Sequence, residues 1–174
     1  MTELSAAVLL AQVRKLDVML GHLRHNKQLF KSLISDLPGV SFRSITDPAG
    51  ELATILTVIL PSEEAARRIA RDLGTKLVAD SGWHVYSNME HLLSHRMVSE
   101  RGCPWNCPSF PTRYEYRRGM LPKTDALLAR CINIGIGITD PGIGASFGVS
   151  VRDGEAEVRR RADEFRAAVS RYLS

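Results

Sequence analysis

Nothing in this 174-residue sequence approaches a membrane span. The longest apolar stretches are short, and the one from Ile55 to Leu60 is broken by Thr57, whereas a spanning helix needs roughly 20 apolar residues. No secretory leader is legible, because Glu3 comes early and the first apolar positions are helically spaced. Three cysteines, an odd number, give no disulfide framework. These absences point to a cytoplasmic protein with no membrane partner. Several chemistries are excluded by missing motifs. There is no G-x-S-x-G nucleophile turn, no H-E-x-x-H zinc helix and no G-x-x-x-x-G-K-[ST] phosphate loop. Gly135-Ile136-Gly137 and Pro141-Gly142-Ile143-Gly144 do not supply G-x-G-x-x-G between a strand and a helix, and Asp140-Pro141-Gly142 reads as a turn. Glycine and proline are too sparse for a linker or a disordered chain.

What is present suits one domain with a sizeable core. Hydrophobic residues make up 44% of the chain, the usual share for a globular protein. The formal charge of +4 is too small and too scattered for a nucleic-acid surface, which needs a sustained basic stripe. The densest basic run, Arg159-Arg160-Arg161, is interleaved with Glu155, Glu157, Asp163 and Glu164, as on a solvated helix face.

Residues 3–36 read as one long helix or two consecutive ones. Leu9, Val13, Leu16, Leu20 and Leu23 recur at steps of four and three, and Phe30, Leu33 and Leu37 continue the face until Pro38-Gly39. The helix starts at the first residues without a lead-in, and its stripe is expected to pack on something. The expected division is a helical segment, 1–37, followed by a small domain, 38–174. Leu52–Leu60 is the clearest strand, rich in Thr, Ile and Val. Ser62 caps the next helix, with Glu63 and Glu64 at its positive end and Gly74 after it. Residues 76–79 read as a short strand and 88–95 as a short helix. Residues 99–118, with Cys103, Cys107 and three prolines, read as an irregular loop. Thr124-Asp125 opens a short helix through Arg130. Ile132, Ile134, Ile136 and Ile138 then alternate with Asn133, Gly135 and Gly137, as in a strand buried on one face whose glycines admit backbone or ligand on the other. Asp153-Gly154 turns into a final helix using Val158, Phe165, Val169 and Tyr172. The order implies an α+β fold: a small, mainly antiparallel sheet covered by helices.

Few residues group into a site. Cys103 and Cys107 form a C-x3-C pair that, with His91 and His95, could hold zinc, but a structural site needs a second pair, so no metal is expected. His84 stands among Trp83, Tyr86 and Asn88, an aromatic and polar segment able to line a pocket and orient a polar ligand.

The joined features resemble one family. Glu3-Leu4-Ser5-Ala6-Ala7-Val8, then Ala11-Gln12-Val13-Arg14-Lys15-Leu16-Asp17, look like a helix of the DegT/DnrJ/EryC1/StrS aminotransferases. Asn26 with Leu37-Pro38-Gly39-Val40, His84-Val85-Tyr86, the run Gly119–Arg130 and the terminal helix resemble later segments, in order. The family's enzymes are of fold-type I, depend on pyridoxal phosphate and often act on keto sugars. The resemblance covers only the C-terminal portion of such an enzyme. The family's large domain, with its cofactor-bearing lysine, has no counterpart, and Lys15, Lys27, Lys31, Lys76 and Lys123 do not stand in that lysine's context.

The resemblance therefore implies a small subunit or C-terminal half of a split aminotransferase, inactive alone and with no catalytic residue of its own. A large-domain polypeptide would supply pyridoxal phosphate, and self-association is a further option. His84, Tyr86 and Arg130 would bind a polar ketone or aldehyde, such as a keto sugar or cyclitol, alongside an amino donor. A noncatalytic regulatory or assembly domain, or a small-ligand-binding module, stays open beside it.

Overall fold

The computed structural model describes residues 1–82, 84–98, 105, 109 and 115–173. Two helices open the chain, α1 (Glu3–Val13) and α2 (Leu16–Ile34). Thr2 caps α1, its Oγ1 accepting from Ser5 N–H at 3.2 Å. The two meet at a turn through Arg14 and Lys15, with Lys15 N–H donating to the Gln12 carbonyl at 2.9 Å. The apolar stripe changes character along this pair. Leu9, Val13 and Leu16 are exposed, and none of α1's residues is buried. From Leu23 onward α2 enters the core through Phe30 and Ile34, which have no exposed surface.

The sheet has three strands in the order β1 (Ser41–Phe42), β2 (Ile55–Ile59) and β3 (Cys131–Gly135), antiparallel throughout. Val58 pairs with Ile132 and Thr57 with Asn133. Helices α2 and α3 (Glu63–Asp72) pack against it, and the terminal helix, α6 (Glu155–Leu173), packs on both. Ser62 does cap α3, accepting from Ala65 N–H at 3.1 Å, and Ala66, Ile69 and Ala70 turn into the core. Helix α6 contributes Val158, Phe165 and Val169, all fully buried, while Tyr172 is only partly so. Each large apolar side chain so buried contributes roughly 1.5–3 kcal/mol before entropy is charged. Arg166 locks α6 to the end of α2, donating to the Leu33 carbonyl at 2.6 Å and to both oxygens of Asp36, one at 2.9 Å. Buried Asn26 reaches the Asp153 carbonyl at 3.0 Å, tying α2 to the turn before α6. The fold is thus α+β, a small antiparallel sheet covered by helices.

Two local expectations are corrected. Residues 76–79 are not a strand: Leu77 makes a single bridge to Ile132, and Val78–Asp80 turn into a 3-10 helix. Strand β3 is not buried on one face only, since every residue from Cys131 to Gly135 is buried. The alternation of Ile with Asn and Gly marks two covered faces. Asn133 is satisfied by Thr57 Oγ1 at 2.8 Å and by donating to the Ile143 carbonyl at 3.0 Å. Gly135 admits backbone, exchanging hydrogen bonds with Phe147 and Val149 at 2.9 and 2.8 Å. A Cβ on Gly148 would lie 2.0 Å from the Gly135 oxygen, so this crossing requires glycine.

The connection between α3 and β3 carries further short elements. A 3-10 turn spans Tyr86–Asn88, α4 is Glu90–Leu93 and α5 is Pro122–Leu128. Most of the expected irregular loop, including Cys103 and Cys107, lies outside the described residues. Among the described residues no helix is long and apolar enough to cross a membrane.

Candidate functional site

The polar segment singled out from sequence folds against α5. Tyr86, at the start of its 3-10 turn, points its hydroxyl at Asp125 in the first turn of α5 and donates to Oδ2 at 2.9 Å. The Tyr86 phenol oxygen itself accepts from Leu121 N–H at 3.2 Å, just before the helix begins. One phenol thereby holds both the entry and the first turn of α5. Asn88 closes the other side of the turn, its Nδ2 donating to the carbonyls of Ala79 and Ser81 at 2.7 and 2.8 Å. Its Oδ1 accepts from Arg118 at 3.3 Å.

These contacts frame an open depression of about 330 Å³, bordered by Val85, Ser87, Arg118, Gly119, Asp125 and Ala126. Arg67 and Glu63 close its α3 side, with the Arg67 guanidinium bridging Glu63 and Asp80 at 2.9 and 3.0 Å. Those carboxylates, Glu63 first, hold Arg67 above the ordinary guanidinium value and keep it charged. The depression offers a hydroxyl, a carboxylate and guanidinium groups. Such a set orients a polar ligand by directional and charge-assisted hydrogen bonds.

The three residues expected to bind substrate are distributed as follows. Tyr86 is half-buried and fully engaged. His84 is exposed, two positions earlier. Arg130 sits at the junction of α5 and β3, its Nε donating to the Ala126 carbonyl at 3.4 Å, back along its own helix. Sequence reasoning passed over Asp125 and Arg118. Asp125 reads from sequence as a helix-start residue; the signal for more is its place within the Gly119–Arg130 run.

The five lysines have distinct surroundings. Lys15, Lys31, Lys76 and Lys123 are exposed, and Lys27 is buried with its ammonium against the Glu51 carboxylate. Among the described residues no three His, Cys, Asp or Glu side chains gather closely enough to hold a metal. His91 and His95 are exposed. Cys131 is buried, its thiol donating to the Leu127 carbonyl at 3.1 Å, and burial pushes it above the usual thiol range, so it is a poor nucleophile.

The model of one protein family, the DegT/DnrJ/EryC1/StrS aminotransferase family, matches residues 1–139 of the 174, and the chain belongs to that family.

Proposed function

From membership of this aminotransferase family we propose that the chain is the small-domain component of a pyridoxal-phosphate-dependent aminotransferase, completed by a large-domain polypeptide. The observation that carries the reading is helix α1. It presents Leu4, Val8, Leu9, Leu10 and Val13 to solvent and buries none of its residues. A contiguous exposed apolar surface of this kind marks an interaction face. Burial against a partner would stabilise it by roughly 25 cal/mol per Å² removed from water.

The lysines support the same reading. A lysine that holds an aldehyde cofactor must give up its proton, which burial without a counter-charge promotes. Lys27, the only buried one of the five, is paired with Glu51, which stabilises the ammonium instead. The other four are solvated. These residues do not fit covalent attachment of the cofactor, so the proposed partner supplies the lysine. This chain's share is then substrate orientation by Tyr86, Asp125 and Arg118, with His84 at the margin and Arg130 as a positioning residue. The substrate class is a polar ketone or aldehyde, with a keto sugar or cyclitol foremost, and an amino acid as donor. A noncatalytic assembly role is the second reading, favoured by the way Arg130 turns onto its own helix.

The test mixes the purified chain with a large-domain polypeptide of the same family and pyridoxal phosphate. Co-elution as a complex, amino transfer by the mixture alone, and a borohydride-trapped adduct on a partner lysine are expected. A stoichiometric adduct on one lysine of this chain, or amino transfer by this chain without a partner, overturns the reading. Complex formation without activity selects the assembly role.

A further inference from the structure

Another depression lies away from Tyr86 and shares no lining residue with the one described above. It is a cleft of about 480 Å³ between α2 and the β1–β2 edge of the sheet. Arg24, Lys27 and Lys31 reach it from α2, and Arg43 from the residue after β1. The helical residues follow one another at three and four positions, so they share a face. Phe42, Ile45, Pro48 and Leu56 supply its apolar wall.

The charges are not balanced. Among the described residues Glu51 is the single carboxylate bordering the cleft, and it is taken by Lys27. The Glu51 backbone carbonyl also accepts from Arg24 Nε at 2.8 Å, which fixes that guanidinium while leaving its other N–H groups unused by Glu51. Lys31 stands over the Phe42 ring, 5.1 Å from its centre. Among the described residues neither Lys31 nor Arg43 has a carboxylate within ion-pair distance, and neither does Arg24. With the Lys27–Glu51 pair neutral, three cations converge on one concavity. Like charges held together in a recess raise the local potential and draw in an anion.

The floor is built rather than incidental. Lys27 is only 7% exposed, and Ala53 on the wall holds a backbone φ of +60°, a conformation costly for a residue other than glycine. Strain of this kind persists where surrounding structure fixes it. A second depression, of about 360 Å³, continues from the same Arg43, Glu51, Ala53 and Thr57 across the sheet to Asn133.

We propose that this cleft is a binding site for a small organic polyanion, one carrying two or more phosphate or carboxylate charges beside an apolar portion. Arg24 and Arg43 present planar forks suited to bidentate contact with either oxyanion, and Lys31 adds a point charge. The apolar wall takes the rest of the ligand. The inference does not rest on the aminotransferase reading and survives its failure.

The test is calorimetric titration of the whole chain at low, fixed ionic strength with pyrophosphate, citrate and phenyl phosphate. Pyrophosphate against citrate separates a phosphate preference from a carboxylate one, and phenyl phosphate probes the apolar wall. Saturable one-to-one binding of at least one probe is expected. It should weaken at least tenfold, about 1.4 kcal/mol, in Lys31→Gln/Arg43→Gln, whose side chains are both exposed. Arg159→Gln/Arg160→Gln, on the outer face of α6, should bind like the parent. If the double variant does not fold by circular dichroism, Lys31→Gln alone is compared. No saturable binding by any probe, or the same loss in the α6 variant, overturns the proposal.

Discussion

The Tyr86 hydroxyl donates a 2.9 Å hydrogen bond to the carboxylate of Asp125, 39 residues along the chain. Because the same oxygen also takes the Leu121 N–H, the phenol ties the 3-10 turn to the start of α5. Tyr86→Phe removes both contacts and leaves the ring. We expect a loss of about 1–1.5 kcal/mol by urea unfolding, the usual worth of such bonds at a half-buried site. An unchanged midpoint would mean that water replaces the phenol and that α5 is positioned by its packing alone.

The Lys27–Glu51 pair should behave as a buried pair does, with asymmetric mutational effects. Lys27 is buried and the Glu51 side chain is 20% exposed. Glu51→Leu strands the ammonium and should cost about 3 kcal/mol, whereas Lys27→Met/Glu51→Leu should recover most of that loss. Denaturant midpoints of the parent, the two single variants and the double variant give the coupling. Additive single and double effects would show that the two side chains act independently.

Gly148→Ala tests the backbone crossing beside β3. Gly148 has φ +150°, and an added Cβ would sit 2.0 Å from the Gly135 oxygen and 2.6 Å from its nitrogen. The strained conformation alone costs about 1–3 kcal/mol, and the clash adds to it. The variant should therefore be among the least stable single substitutions in thermal unfolding. Gly21→Ala, in α2 with nothing within 4 Å of the new Cβ, should go the other way by about 0.5–1 kcal/mol. Equal effects of the two would refute the close approach.

Acid sensitivity should centre partly on Asp36. The Arg166 hydrogen bond foremost holds its carboxyl below the ordinary value of 3.8. A group lowered on folding stabilises the native state above its unfolded pKa and loses that contribution as pH falls through the folded one. Asp36→Asn should thus be less stable than the parent at neutral pH, with a gap that closes only as the pH drops below 3.8. Urea midpoints across that range check the sign. A gap that widens toward acid would place the effect elsewhere.

Much of the architecture was legible from local chemistry. Ser62 followed by Glu63 and Glu64 specifies a helix start because a hydroxyl and two carboxylates satisfy its free N–H groups and positive end, and the cap bond is there. Ile-x-Ile alternation after Arg130 specifies a strand, and Val158, Phe165 and Val169 specify the buried face of α6. The chain order of the Glu3–Asp17, His84–Tyr86 and Gly119–Arg130 segments was enough to identify the family, which the match over residues 1–139 bears out.

What the sequence could not determine is which surfaces meet. The stripe Leu9, Val13, Leu16, Leu20 and Leu23 is continuous in sequence, yet only its far end reaches the core. Periodicity records which residues share a face; burial depends on what is packed opposite. The same limit hid the second cover on β3, where the Ile138 carbonyl lies over Gly135 and the Ile143 carbonyl accepts from Asn133, because that cover is backbone and leaves no side-chain pattern. It hid Asp125 as the partner of Tyr86, and it hid the convergence of Arg24, Lys31 and Arg43. Arg24 and Lys31 share a face of α2 by their spacing, but only the tertiary structure brings Arg43 beside them, where one carboxylate, Glu51, is committed to Lys27 and leaves their charge uncompensated.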